Sequence, residues 1–196
     1  MMSFVETLLC WDKELFLALN GMHHPVADMV MFYISKIWIW IPLYLGVIAY
    51  IVKKWKMEAI WIILSIILCL VLTDQLTNVT KEVFQRLRPS HAPELQGLVH
   101  NVQGYVGGKY GFVSGHSSNV FGFALLSSLI IRNKFYAIGI FLWAMIVAYS
   151  RIYLGVHYPL DIICGMALGF AVAAIVYMIL DTFRKRLMAE IKSRFF

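Results

Sequence analysis

Three short segments hold most of the side chains in this sequence that could carry a reaction. The first runs Lys81-Glu-Val-Phe-Gln-Arg-Leu-Arg88-Pro89. The second is Val113-Ser114-Gly115-His116, and the third is Ser150-Arg151-Ile-Tyr-Leu-Gly-Val-His157-Tyr-Pro-Leu-Asp161. Their cations Lys81, Arg88 and Arg151, with two histidines and a carboxylate, suit phosphoryl transfer. Arginine offers planar bidentate donors to phosphate oxygens, and lysine adds a point charge. A Ser-Gly turn opening a helix turns backbone N–H groups and the positive end of the dipole towards an anion. His157 and Asp161 are four apart, so on a helix they share a face. A carboxylate bonded to one ring nitrogen fixes the tautomer and leaves the other nitrogen free to attack. His116 could then act as general acid on the leaving oxygen. Cys10, Cys69 and Cys164 have no metal-binding spacing. Neither disulfide, metal nor cofactor is expected.

These residues must be positioned by a membrane scaffold. Of 196 residues, 61% are hydrophobic and only 14% charged, with a mean hydropathy of +0.75. That is too much apolar sequence for one soluble core of this size. The fold class expected is an all-α polytopic helix bundle. Spans are predicted at 26–52, 57–77, 115–131, 135–153 and 160–181, each near the ~20 residues that cross a bilayer. Pro42 and Lys36 predict a kink or a partly interfacial first half in the first span. Residues 4–20 mix charges among Leu8, Leu9, Trp11, Leu15, Phe16 and Leu19, which suits a helix lying in the interface. If that helix spans instead, the bundle has six crossings. The charges also exclude a cleaved signal peptide. A single domain over 1–196 is expected, with 1–24 interfacial and 182–196 a basic cytoplasmic tail.

The net charge of +6 does not point to nucleic acid, because the cations sit at span ends. Lys53, Lys54 and Lys56, then Arg132 and Lys134, then Arg184, Lys185, Arg186, Lys192 and Arg194 mark the cytoplasmic side. The loops 78–114 and 150–159 then face outward. They nevertheless carry Lys81, Arg86, Arg88, Lys109 and Arg151, and anion binding explains that excess.

The pattern Lys-x6-Arg-Pro, Ser-Gly-His and Ser-Arg-x5-His-x3-Asp resembles the signature of the type-2 phosphatidic acid phosphatase superfamily. The resemblance implies that Lys81, Arg88 and Arg151 hold the phosphate, helped by Ser114 and Gly115. It makes His157 the nucleophile of a phosphohistidine, Asp161 its orienting partner and His116 the acid. It further implies a metal-independent enzyme in a bacterial inner membrane, working on its outer face. Its substrate would be phosphatidic acid, phosphatidylglycerophosphate, undecaprenyl diphosphate or a lipid A phosphate. One departure is Val113, where that superfamily usually has proline. Proline there contributes a fixed φ, so a looser turn is expected without loss of activity.

Other residues have plainer readings. His23, His24, His91 and His100 are taken as structural or interfacial. Arg86 reads equally as a solvated loop cation or a site cation. Tyr105, Lys109 and Tyr110 suit either a headgroup pocket or an aromatic belt. A phosphotransferase would use the same residues, whereas a lipid or anion transporter would leave the His-x3-Asp pair unexplained. Orientation can be tested directly in a cysteine-free variant. A cysteine placed in the 90–113 loop should react with an impermeant thiol reagent from outside, and one placed near Lys54 should not. The reverse pattern would overturn the topology.

Overall fold

The computed structural model describes residues 3–195, with side chains as far as residue 186. Among these residues the regular structure is helical, apart from one isolated bridge between Leu87 and Tyr110. The helices are α1 (Phe4–Asn20), α2 (Pro25–Ile34), α3 (Ile41–Trp55), α4 (Ala59–Phe84), α5 (Gly115–Ile131), α6 (Lys134–Tyr153) and α7 (Pro159–Phe195). The all-α bundle expected from composition is what is observed.

The centre is α5, packed by α4, α6 and α7. Small residues bring α5 and α7 together. A Cβ on Gly169 would stand 2.3 Å from the Ser118 carbonyl oxygen, and one on Gly165 would stand 2.6 Å from that of Ser114. Gly165 and Gly169 are one helical turn apart, the spacing that lets apolar helices approach backbone to backbone. Polar side chains face inward between α4 and α5. Thr73 donates to Asn119 at 2.5 Å, and the Thr77 and Ser118 hydroxyls pair at 2.9 Å.

The exterior is apolar. Leu45, Leu64, Ile67, Leu142, Ile175 and Met178 are exposed on α3, α4, α6 and α7. So large an exposed apolar surface on helices that satisfy their own backbone groups suits a bilayer. Ile37–Phe84, Lys134–Tyr153 and Pro159–Arg186 are long and apolar enough to cross one, while α2 and α5 are shorter apolar helices. The motif segments gather at one end of the bundle. At the other end Lys54, Arg132, Arg184 and Lys185 line a cleft of about 680 Å³. The side chains of Lys192 and Arg194 lie outside the described ones.

Three boundaries differ from expectation. The first span is broken: α2 ends at Ile34, and a 3₁₀ turn over Ile37–Trp40 precedes α3. Pro42 sits in the first turn of α3, where its missing N–H costs nothing. The second span continues to Phe84, so Lys81 is helical and the long loop begins at Gln85. The polar run from Asn78 to Glu82 reads as the start of a loop, yet it continues the helix whose Thr73 and Thr77 turn to the α5 interface. Third, α7 does not stop at 181 but continues through the basic tail to Phe195.

α1 is amphipathic in an unexpected sense. It buries Asp12, Phe16 and Asn20, one turn apart, and exposes Trp11 and Leu15. Two of its polar residues, Asp12 and Asn20, face protein, and much of its apolar surface faces outward.

The α5–α7 contact yields a stability test. Gly169→Ala puts a methyl group into backbone, an overpacking that costs about 1–3 kcal/mol. Gly46→Ala meets open space. The first should lower the melting temperature in detergent and the second should not. Equal effects would show that the contact is not tight.

Candidate active site

The third segment forms the floor of the site. After α6 the chain turns at Gly155, whose φ of +75° is that of a residue without a side chain. A Cβ there would also stand 2.6 Å from Val99 Cγ1. Pro159 then opens α7, which puts His157 just before the helix and Asp161 in its first turn. His157 Nδ1–H donates to Asp161 Oδ2 at 3.3 Å, and the Tyr158 N–H reaches the same oxygen at 3.0 Å. Both side chains are buried. The carboxylate thereby selects the Nδ1–H tautomer, and the Nε2 lone pair is left to react.

The second segment is fastened to the third by its backbone. The Ser114 N–H donates to the Asp161 carbonyl at 3.0 Å. Ser114 then caps α5, its hydroxyl accepting the Ser117 N–H at 3.4 Å. Val113, expected to loosen this turn, is buried, and its N–H approaches Thr80 Oγ1 at 3.4 Å. Proline could not make that contact. Gly115 lies against α4, where its Cβ would stand 3.7 Å from Lys81 Nζ.

The first segment leaves α4 through Gln85 in a left-handed turn and runs extended beside residues 109–111. The Arg88 N–H donates to the Lys109 carbonyl at 3.1 Å, and the Gly111 N–H to the Arg86 carbonyl at 2.9 Å. Two glycines make room. A Cβ on Gly107 would meet Arg88 Nη1 at 2.6 Å; one on Gly111 would meet Asp161 Oδ2 at 3.1 Å and His157 Nδ1 at 3.5 Å.

Four cations surround the histidine, and they differ in their partners. Arg86 forms ion pairs with Asp161 at 2.8 Å and Asp12 at 2.6 Å. Arg88 and Arg151 are both buried, and among the described residues neither they nor Lys81 pair with a carboxylate. Arg88 Nε donates to the Tyr110 carbonyl at 3.0 Å while its Nη1 has no partner. Arg151 donates to the Ser35 hydroxyl and to Tyr105 Oη at 3.1 Å, and its Nε has no partner. Buried donors without acceptors are costly unless an anion arrives to take them.

His116 lies across from Arg151 on a cleft of about 420 Å³ that Ser35, Lys36 and Tyr105 also line. Its Nε2 is 3.2 Å from the Ser35 carbonyl. A carbonyl only accepts, so Nε2 carries a hydrogen and Nδ1 is the nitrogen that can exchange a proton with a ligand.

With this geometry, residues 58–185 match the family described as the PAP2 superfamily. The chain belongs to that superfamily. Among its relatives is the lipid A 4'-phosphatase of Porphyromonas gingivalis, 42% identical over 177 residues that cover 89% of this chain and 75% of the relative. The lipid A 4'-phosphatase of Bacteroides thetaiotaomicron is 35% identical over 191 residues, covering 95% and 84%. The fold is shared with the crystal structure of a transmembrane PAP2-type phosphatidylglycerolphosphate phosphatase from Bacillus subtilis. That match has a TM-score of 0.68 at 23% identity and covers 92% of this chain and 87% of that one. The chain is therefore an enzyme, a membrane PAP2 lipid phosphatase.

In this PAP2 phosphatase the three segments do converge. His157 and Asp161 touch, Ser114 is bonded to Asp161, and the charges of Arg88, Arg151 and Lys81 all reach His157. His100 stacks on His23 at 3.8 Å and contacts Asp28 at 3.0 Å. Arg86 is no solvated cation. Tyr105 lines the cleft, whereas Lys109 is exposed above Tyr110. Ser35 and Asp12 were not foreseen. Ser35 is one polar residue in an apolar run, and Asp12 looked like an interfacial charge.

Burial holds His157 well below the ordinary histidine value, and the charges of Arg88, Arg151 and Lys81 push it the same way. Nitrogen-15 spectra of histidine-labelled protein should show His157 neutral below pH 6.5. The unfolded chain takes up a proton there and the folded chain does not. Acidification through that value therefore costs stability. Protonation at or above pH 6.5 would contradict the assignment.

Proposed function

We propose that this PAP2 phosphatase removes a phosphate monoester from a lipid, lipid A 4'-phosphate first among candidates, through a phosphohistidine at His157 and without a metal. The observation that carries the mechanism is the set of three cations, Lys81, Arg88 and Arg151, unpaired by carboxylates around a buried neutral histidine. The two lipid A 4'-phosphatase relatives support the substrate. Metal independence draws support from the described residues, which hold no group of three or more His, Cys, Asp or Glu side chains able to bind an ion. Fixed cations can neutralise the developing charge instead.

The steps follow from the atoms available. The phosphate oxygens take the open donors of Arg88, Arg151 and Lys81, with Ser114 and Gly115 at the start of α5. The His157 Nε2 lone pair attacks phosphorus, and the P–O bond to the lipid breaks. Asp161 holds the Nδ1–H and stabilises the positive charge forming on the ring. His116 gives a proton to the leaving lipid oxygen. It then takes one from a water that attacks phosphorus, the N–P bond breaks, and inorganic phosphate leaves.

The membrane setting belongs to the same proposal. Residues 1–196 act as one domain in a bacterial inner membrane, with the site outward, residues 1–24 along the interface and residues 182–196 on the cytoplasmic side. The cluster of Lys54, Arg132, Arg184 and Lys185 at the end opposite the site supports this orientation, the cations at the site end being accounted for by the phosphate.

Purified protein should release free phosphate fastest from lipid A in a panel with phosphatidic acid, phosphatidylglycerophosphate and undecaprenyl diphosphate. EDTA should not lower the rate, and His157→Ala should abolish it. Quenching during turnover should leave an acid-labile phosphoryl group on His157. His116→Ala should lose about 10²–10⁴-fold on the lipid, the worth of a general acid. Its loss on p-nitrophenyl phosphate, whose leaving group needs no proton, should be much smaller. Label on a serine or aspartate, or loss in EDTA restored by a divalent ion, would overturn the mechanism. Phosphate found on a second lipid instead of in solution would make the chain a phosphotransferase.

A further inference from the structure

Two charged residues assigned no part in these steps close a ring around Asp161. We propose that Asp12 and Arg86 are positioning residues for the histidine–carboxylate pair. Helix α1, which carries none of the motif segments, would thereby set the geometry of the reacting nitrogen. The proposal rests on the reading of His157 as nucleophile.

The ring joins the buried Asp12 and Asp161 through the half-buried Arg86. Asp161 uses Oδ2 for the His157 Nδ1–H and the Tyr158 N–H, and its Oδ1 is held by Arg86 Nη1 at 2.8 Å. Arg86 Nη2 donates to Asp12 Oδ2 at 2.6 Å. Asp12 Oδ1 accepts the Leu160 N–H at 2.8 Å. Asp12 therefore grips Asp161 twice, through Arg86 at the side chain and through Leu160 at the adjoining backbone. The guanidinium lies 4.1 Å from the centre of the Tyr158 ring, and Phe16 packs edge-on against that ring at 5.4 Å. Asp12 and Phe16 are four apart on one face of α1, so a single helix supplies both the charge and the packing.

Geometry and charge give the ring its task. A carboxylate can turn about its last bond and exchange its oxygens; Arg86 on Oδ1 prevents this and keeps Oδ2 on His157. Arg86 alone would also neutralise Asp161 and weaken its hold on the imidazole proton. With Asp12 sharing the guanidinium, the three groups carry one net negative charge, which stays available to His157. Asp12 thus acts through Arg86 and Asp161 without meeting substrate.

Asp12→Asn keeps the shape and an oxygen for Leu160 while removing the charge. In nitrogen-15 spectra wild-type His157 should be a single Nδ1–H tautomer, and Asp12→Asn should show a mixture. Its kcat on the lipid phosphate should fall about 10–100-fold, the loss usual one step behind a reacting group, with KM and the melting temperature in detergent unchanged. In an Asp161→Asn background the same substitution should cost nothing more, because its route is already cut. Arg86→Lys, which keeps the charge but not the fork, should also mix the tautomers, and it decides the matter if Asp12→Asn does not fold. Lys13→Ala, which breaks only an exposed ion pair to Glu94, should behave as wild type. A single tautomer with wild-type kcat in Asp12→Asn would overturn the proposal. So would a further loss in the Asp161→Asn background, or an equal loss from Lys13→Ala. The tautomer is read without turnover. A chain that released no phosphate would therefore sink the proposed function while the spectra still judged the ring.

Discussion

Asp161 is the residue on which the three motif segments converge. Its carboxylate orients His157 and accepts from Arg86, and its carbonyl takes the Ser114 N–H that starts α5. It is wholly buried, and a carboxylate in such a place is costly unless it is paired and hydrogen-bonded. Each partner that engages it is also a site residue or the neighbour of one. Satisfying one buried charge and assembling the site are thus the same event. Loops with little regular structure can form so ordered a cluster because they are anchored on one another through this group.

The membrane imposes a second constraint, and it inverts the usual distribution of residues. Lipid offers no hydrophobic drive for helix association, so packing rests on small residues and on hydrogen bonds between helices. Gly165 and Gly169 let α7 lie on the backbone of α5, while Thr73 and Thr77 of α4 pair with Asn119 and Ser118. These same contacts fix the end of α5 from which Ser114 and His116 project. The polar seam between α4 and α5 leads towards Lys81 and the phosphate donors. Helix packing and the electrostatics of the site are therefore carried by adjoining turns of the same helices.

Much of this was legible before any coordinates. The three segments were readable because their side chains are expensive in a membrane protein and lie at span ends. The bundle followed from composition. Ser35 was hidden because its contribution is partly a main-chain carbonyl, held out for His116 where α2 breaks, and no side-chain pattern announces a carbonyl. Asp12 was hidden for a different reason. A carboxylate among apolar residues reads as an interfacial charge unless the direction of its face is known, and α1 turns that face towards protein. The extension of α4 to Phe84 was missed since Asn78, Thr80, Lys81 and Glu82 suggest the start of a loop, although they continue the helix without a break. What escaped were pairings between segments distant in sequence, which depend on how helices dock more than on local propensity.

The partners of the four site cations sort them by task. Arg86 is held by two carboxylates, so its charge is spent within the protein and it cannot respond to a ligand. Arg88 and Arg151 are held instead by neutral acceptors, the Tyr110 carbonyl and the hydroxyls of Tyr105 and Ser35. A neutral acceptor orients a guanidinium without cancelling its charge. The donors are therefore aimed and uncompensated at a cost to stability, which the lipid phosphate would offset in the proposed reaction. The same uncompensated charge adds to burial in holding His157 below the ordinary histidine value. Carboxylate partners on Arg88 or Arg151 would cost the resting protein less and would weaken both effects together. On the proposed mechanism, the choice of neutral partners is what turns the buried Arg88 and Arg151 from a folding liability into part of a site for phosphoryl transfer.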